Sequence, residues 1–511
     1  MSKILDMLVV GGGINGVGIA RDAAGRGLSV RLIEKGDLAG ATSSVSSKLI
    51  HGGLRYLEYG AFRLVREALA EREVLLANAP HIIEPLRFVL PHDRSMRPRA
   101  LLRFGLFLYD HLGGRRTLPG TETVALRTHS YGEPLQTHLT TGFVYSDCTV
   151  QDARLVVLNA RDAAARGASI STRTEICNAQ RENGHWRATL DREGAPEEVA
   201  ARVLVNAAGP WAVDVLRRTG IAHSASHLRL IKGSHIVVPQ LYAGPQAYIL
   251  QNDDRRVIFV VPYEGKFSLI GTTDVSFDGT REHVTIDADE IDYLCRAVSR
   301  WFAKPVLPED VVWSYAGVRP LYDDEEADPS AVTRDYVLEL KAADGAAPLL
   351  SVFGGKLTTY RRLAEHAMEK LARFFPGLGK PWTAAATLPG GDISNGNVHA
   401  FADGIARDYP FLGANAALRL ARSYGTDARK ILGGARRPDD LGRIFGFGFS
   451  ARELEWLTQE EWARTGEDVL WRRSKLGLHL DRDAATAVAA LLTTPRAAWK
   501  RRCDDTVVIG P

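Results

Sequence analysis

The sequence predicts an α/β protein in three parts: a nucleotide-binding domain on a parallel sheet, an antiparallel sheet inserted into it, and a helical C-terminal domain. Three observations predict this. A strand, a glycine turn, a helix and a second strand fill the first 34 residues; residues 229 to 275 read as antiparallel strands; and beyond "LPGGD" at 388 to 392 the glycine-marked strands stop.

The first element is "ILDMLVV", residues 4 to 10, a short apolar run of the kind a buried parallel strand shows. "GGGINGVGIARDAAGRG" then passes from small residues to helical spacing, and "SVRLIEK" makes a second strand ending at Glu34. Gly11, Gly13 and Gly16 form G-x-G-x-x-G between strand and helix, with Glu34 18 residues past Gly16. Gly11 permits the tight turn, Gly13 lets backbone approach a pyrophosphate, and Gly16 lets the helix pack close to the strand. The helix N-terminus offers free N–H groups and partial positive charge to phosphates, and Glu34 can accept ribose hydroxyls, which suits an adenosine without a 2′-phosphate. The unit is Rossmann-like, and in this context a glycine turn that binds nothing is the weaker reading.

The hydroxyl-rich "TSSVSSK", Thr42 to Lys48, comes next, followed by "HGGLRYLEYG", residues 51 to 60. Taken alone, His-Gly-Gly is compatible with an ordinary turn before a surface helix. Between 81 and 150 the pattern loosens, broken by Pro85, Pro91 and Pro98. Within it, residues 94 to 116 set six arginines around Leu101, Leu102, Phe104, Leu106, Phe107 and Leu108. Such a segment can lie in a membrane interface; it can also pack on its own domain with arginines reaching to water.

Helix and strand alternate again from residue 146, leading to "ARVLVNAAGPWAVDVL", where the strand 202 to 206 runs into Ala207, Ala208 and Gly209. Small residues at the end of a central strand leave room for a bulky planar group. "RLIKGSHIVVP" and a hairpin turned at Tyr263 to Lys266 form the inserted sheet, a substrate-side wall. "PLLSVFGGKLTTYRRLAEHAMEKL" then gives a strand, Gly354-Gly355, and a helix opening at Lys356 to Thr359. Residues 393 to 511 read as amphipathic helices for scaffolding, dimerisation or partner contact. The expected boundaries are 1–80, 143–228 and 310–388 for the nucleotide domain, 81–142 and 229–309 for the substrate-side cap, and 389–511 for an all-helical C-terminal domain.

A formal charge of +3 over 511 residues is close to neutral, which argues against a nucleic-acid binder. Cys148, Cys177, Cys295 and Cys503 are too scattered for a zinc site, so no metal is expected. The N-terminus reads as a first strand and not a signal peptide, and no run of 18 apolar residues suggests a membrane span.

The glycine turn suits NAD or FAD equally. FAD is the larger and is held along its length by separated segments, so a spread of cofactor-like segments from residue 8 to residue 360 favours FAD. "GGGINGVGIARDAAGRGL", "ATSSVSSKLIHGGLRYLE", "LIKGSHIVVP", "IGTTD", "SYAGVRPL", "TRDY" and "VFGGKLTTYRRLAEHAMEKL" together resemble the FAD-dependent glycerol-3-phosphate dehydrogenases of the aerobic bacterial type. The resemblance covers nearly the whole chain and is less distinctive in 117 to 142 and beyond 393. It implies oxidation of sn-glycerol 3-phosphate to dihydroxyacetone phosphate, electrons passing to membrane quinone, peripheral attachment to the inner face of the cytoplasmic membrane, and a homodimer.

The resemblance also extends the cofactor set: Gly11, Gly13, Ile14, Asn15, Gly16, Glu34, Lys35, Thr42, Ser43, Ser47, Lys48, Ile50, His51, Gly52, Gly53, Gly209, Gly354, Gly355, Lys356, Leu357 and Thr358. A doubly charged phosphate monoester needs several cations, for which Arg55, Arg319, Arg334 and Lys356 are candidates. Tyr56 and Thr272 line the same pocket in the family. Oxidising the C2 alcohol needs a base for the hydroxyl proton, and His51, Arg319 and Lys356 stay open for that role. Alternatives are a glycerol-3-phosphate oxidase using oxygen, a more distant amine or amino-acid oxidase, and a non-catalytic flavin-binding, membrane-associated sensor.

Overall fold

In the computed structural model the described residues are 3–93, 96–114, 117–221, 228–254, 256–322, 335–343 and 345–493. Two large sheets organise them. The nucleotide sheet runs in the order Tyr336–Lys341, Leu349–Gly354, Ala195–Asn206, Leu5–Val10, Val30–Glu34, Ser169–Thr172, with the hairpin Thr174–Glu182/His185–Arg192 folded against it. From Leu349–Gly354 to Ser169–Thr172 every pairing is parallel, and Tyr336–Lys341 closes the edge antiparallel. Met7, Leu8 and Val9 are fully buried because helices cover one face and the hairpin the other, which explains the unbroken apolar run of the first strand.

The second sheet runs Val275–Ser276, Leu228–Pro239, Phe267–Gly271, Val257–Tyr263, Ala247–Gln251, Ile83–His92, Thr141–Val150, Leu49–Ile50, with Trp313–Tyr322 paired along Leu228–Pro239 and Glu122–Ala125 along Thr141–Val150. It is antiparallel except where Ala247–Gln251 lies parallel to Ile83–His92. Its membership differs from the expected boundaries: Leu49–Ile50, Trp313–Tyr322 and, from residue 143 on, Thr141–Val150 fall within the stretches expected for the nucleotide domain, and all pair here. A strand that leaves one sheet for its neighbour keeps the same alternation in sequence, so pattern alone places it poorly.

The C-terminal part has its own core around Ile405, Leu420, Tyr424, Phe449, Leu454 and Val469. It is helical, with one small hairpin, Ile444–Gly446/Phe449–Ser450, in place of the all-helical expectation. Of the sequence features singled out above, Arg334, Arg94, Arg115, Arg116 and Cys503 lie outside the described residues.

Candidate active site

Three neighbouring parallel strands end in small residues at one edge of the nucleotide sheet: Leu5–Val10 in Gly11, Ala195–Asn206 in Ala207 to Gly209, and Leu349–Gly354 in Gly354-Gly355. That edge is where an open α/β sheet receives a nucleotide. Gly11 has φ of +114°, and a Cβ there would meet the Ala207 carbonyl oxygen at 2.4 Å; a Cβ on Gly16 would meet the Gly11 oxygen at 1.9 Å. Neither position admits a side chain. A Cβ on Gly13 would meet only Ser43 Oγ, at 3.2 Å, so this backbone faces the crevice.

The turn is braced from below. Glu34 accepts from the Gly12 amide at 2.6 Å and the Gly36 amide at 2.7 Å, and Ser43 Oγ accepts from the Ile14 amide at 3.0 Å. Asn15 donates to the Gly354 carbonyl at 3.1 Å, binding the first turn to the third, while its buried Oδ1 has no protein partner. An orphaned acceptor beside backbone that tolerates no Cβ fits a bound dinucleotide edge.

The hydroxyl-rich stretch stitches the two sheets together. Thr42 donates to the Val318 carbonyl at 2.6 Å, and Ser47 Oγ lies 2.9 Å from His235 Nε2. Lys48 holds its ammonium in a buried pair with Asp152 at 2.8 Å, and Ile50 is fully buried, so both can reach a cofactor only through backbone. Lys35 sits over the Trp211 ring at 3.9 Å and pairs with Glu282 at 3.3 Å.

The His-Gly-Gly turn lies in the same region. The His51 amide donates to Thr358 Oγ1 at 3.2 Å, which joins that turn to the helix start at Lys356 to Thr358. Lys356 Nζ is buried 3.6 Å above the centre of the Tyr56 ring. Arg55, in the same 3-10 turn Leu54–Tyr59, reaches Tyr59 Oη at 3.3 Å. On the second sheet, Arg319 donates to Thr272 Oγ1 at 2.9 Å and is ion-paired with Asp274.

Sequence reasoning missed His235, which was read only as part of a strand. It is 2% exposed, stacks on Tyr315 at 4.8 Å, and lies in register opposite Gly271, whose missing side chain leaves room for the imidazole. Phe259, also opposite Gly271 and so on the same face of the sheet as His235, meets the His51 ring at 6.3 Å. Burial, and then the nearby Arg319 charge, hold the His235 imidazole well below its usual pKa, in the neutral form.

Residues 6–361 match the FAD dependent oxidoreductase family, and residues 382–501 match the C-terminal domain of alpha-glycerophosphate oxidase. A glycerol-3-phosphate dehydrogenase of Pseudomonas aeruginosa is 54% identical over 481 residues, covering 94% of this chain and 93% of that one. The chain belongs to the FAD-dependent glycerol-3-phosphate dehydrogenase family. It is a flavoprotein oxidoreductase with FAD as cofactor. The solved glycerol-3-phosphate dehydrogenase from Bacillus halodurans complexed with FAD superposes with a TM-score of 0.76 at 27% identity, covering 98% of this chain and 93% of that one. Within the same range of similarity is a D-erythritol 1-phosphate dehydrogenase of Brucella abortus, 53% identical over 477 residues, covering 93% of this chain and 95% of that one.

Proposed function

We propose that this chain oxidises sn-glycerol 3-phosphate to dihydroxyacetone phosphate and passes the electrons to a membrane quinone. What supports the reading is that Lys356, stacked on Tyr56, directly follows Gly354-Gly355, that the strand of Arg319, which bonds Thr272, packs against the strand ending there, and that Arg55 shares the turn of Tyr56. Cations with hydroxyl donors beside them suit a phosphate monoester, and the family resemblance adds Arg334 to these candidates. FAD, when bound, supplies the hydride acceptor.

Of the groups left open as base, Arg319 is a guanidinium held by a carboxylate and acts as a cation, stabilising the developing alkoxide. His235 joins the groups open as base: its ring is in the neutral form that can accept a proton, and its Nδ1 lacks a protein partner, while burial and the Arg319 charge lower its basicity. Ser47 holds its other nitrogen and fixes the ring. We favour His235 as the base, with His51 and Lys356 kept beside it as the other proton acceptors the site offers.

Attachment to the inner face of the cytoplasmic membrane is part of the proposal. No helix among the described residues is long and apolar enough to cross a membrane. Helix Arg99–Leu112 turns Leu101, Phe104 and Phe107 outward, each at least half exposed, beside exposed Tyr59 and Phe62 and the basic Arg99 and Arg103. That pattern suits an interfacial helix. A homodimer follows from the resemblance alone.

The D-erythritol 1-phosphate dehydrogenase relative favours a second reading, in which the preferred substrate is the four-carbon polyol phosphate. Comparing kcat/KM for sn-glycerol 3-phosphate and D-erythritol 1-phosphate, with a soluble quinone and then oxygen as acceptor, tests both. Preference for glycerol 3-phosphate with quinone is expected; preference for the four-carbon substrate, or faster turnover with oxygen, overturns the corresponding half.

A further inference from the structure

We propose that Tyr109 is a positioning residue for this reaction: its hydroxyl holds the Gly52 amide and so sets the turn His51–Gly53 that delivers Arg55 and Tyr56 to the site. Helix Arg99–Leu112 turns two faces to different surroundings. Its outer face is the exposed apolar strip, while on its inner face Leu106 and Tyr109 are 3% and 2% exposed. Tyr109 Oη lies 2.8 Å from the Gly52 amide, accepting from it, and 2.7 Å and 2.9 Å from the two carboxylate oxygens of Asp147, to which it donates. Asp147 is itself 3.3 Å from the Gly52 amide and is held by Arg72 at 2.9 Å, with Arg72 also donating to the Ser146 carbonyl at 2.7 Å. All of these groups are buried.

A buried amide needs an acceptor, and a hydroxyl that accepts from Gly52 while donating to Asp147 satisfies two groups at once. The turn is pressed onto this support: a Cβ on Gly52 would fall 2.5 Å from Leu69 Cδ2 and 2.7 Å from Tyr109 Oη. On the neighbouring residue the same turn meets the catalytic side, through the His51 amide and Thr358. Gly53, with φ of +76°, then starts the 3-10 turn in which Tyr56 bonds back to the Gly53 carbonyl at 2.9 Å. The tyrosine oxygen, the shorter of the Gly52 amide's two acceptors, thus holds the backbone between His51 and the proposed phosphate ligands. The helix proposed to meet the membrane reaches the active-site turn directly.

The inference rests on the reading that Arg55 and Tyr56 bind substrate, and its test separates the two. In the holoenzyme, Tyr109→Phe keeps the packed ring and removes the oxygen, while Leu106→Ala weakens the same helix contact and leaves the oxygen in place. Hydrogen exchange of the Gly52 amide, followed by mass spectrometry, is expected to speed up about tenfold in Tyr109→Phe, with Leu106→Ala near wild type. KM for sn-glycerol 3-phosphate is expected to rise roughly three- to tenfold in Tyr109→Phe at unchanged FAD content, the loss of one buried hydrogen bond expressed as a binding ratio. Unchanged exchange in Tyr109→Phe, or equal changes in both variants, overturns the proposal. If the wild-type flavin does not respond to sn-glycerol 3-phosphate, the functional reading fails and the exchange comparison still decides the role of Tyr109.

Discussion

His235 shows what was and was not legible at the scale of single residues. The glycine turn could be read directly, because positive φ and close approach admit only one residue type at Gly11 and Gly16. The importance of His235 depends on its register opposite Gly271 and on Ser47, nearly two hundred positions earlier, and neither relation leaves a trace in local sequence. His235→Gln is expected to slow flavin reduction by substrate by about 10²- to 10⁴-fold, the usual worth of a positioned base, with FAD retained. His51→Ala is expected to keep most of its reduction rate; rapid-mixing spectrophotometry of the two variants checks the assignment, and the reverse order refutes it. His81 makes a separate prediction. It is fully buried with both ring nitrogens unpartnered, and burial pushes its pKa down to about 3. Between the unfolded value near 6.5 and about 3, the unfolded chain binds a proton that the folded chain refuses. Stability is therefore lost as pH falls through this window, at about 1.4 kcal/mol per pH unit from this group. Denaturation of His81→Leu at pH 7 and pH 5 is expected to show a correspondingly smaller acid loss than wild type; an equal loss in both contradicts it.

Helix Arg99–Leu112 carries the corresponding lesson for elements. Its amphipathic character was plain in the sequence, and the structure divides its apolar residues between two faces: Leu106 and Tyr109 pack inward while Leu101, Phe104 and Phe107 face out. Sequence spacing cannot say which apolar residues a neighbouring element will cover. Each outward residue is worth of order 1–2 kcal/mol when withdrawn from water. Replacing Leu101, Phe104 and Phe107 together by Ser is expected to weaken sedimentation with anionic lipid vesicles by at least about a hundredfold, leaving turnover with a soluble quinone unchanged. Undiminished vesicle binding would remove this helix from the membrane account. The inserted sheet was legible as a hairpin at Tyr263 to Lys266, matching Val257–Tyr263 paired with Phe267–Gly271. Its full extent was hidden, because Thr141–Val150 and Trp313–Tyr322 come from stretches interleaved with the nucleotide domain.

Over the whole molecule, the C-terminal part is bound to the nucleotide domain by buried charge. Asp37, three residues past Glu34, pairs with Arg473 at 2.6 Å and Arg472 at 2.7 Å, and Arg154 pairs with Glu461 in an equally buried contact. These pairs span hundreds of positions and could not be read from sequence, which showed only helices rich in Arg and Trp. Since Arg473 is fully buried, removing its counter-charge leaves a cation without compensation. Asp37→Asn is expected to cost about 3–5 kcal/mol by chemical denaturation, and a change under 1 kcal/mol would show the two parts to be held otherwise. Rigid seating matters because the candidate site draws on both sheets: His235, Thr272 and Arg319 stand on the second sheet, Lys356 follows the nucleotide-sheet strand Leu349–Gly354, and Thr42 and Ser47 bond across to the second sheet. The most direct test of the central claim is the visible spectrum of the purified flavoprotein, recorded without oxygen during titration with sn-glycerol 3-phosphate. Bleaching of the flavin bands to completion, reversed by adding a soluble quinone, is the predicted result. A flavin spectrum indifferent to sn-glycerol 3-phosphate would leave the fold and the cofactor standing and contradict the function.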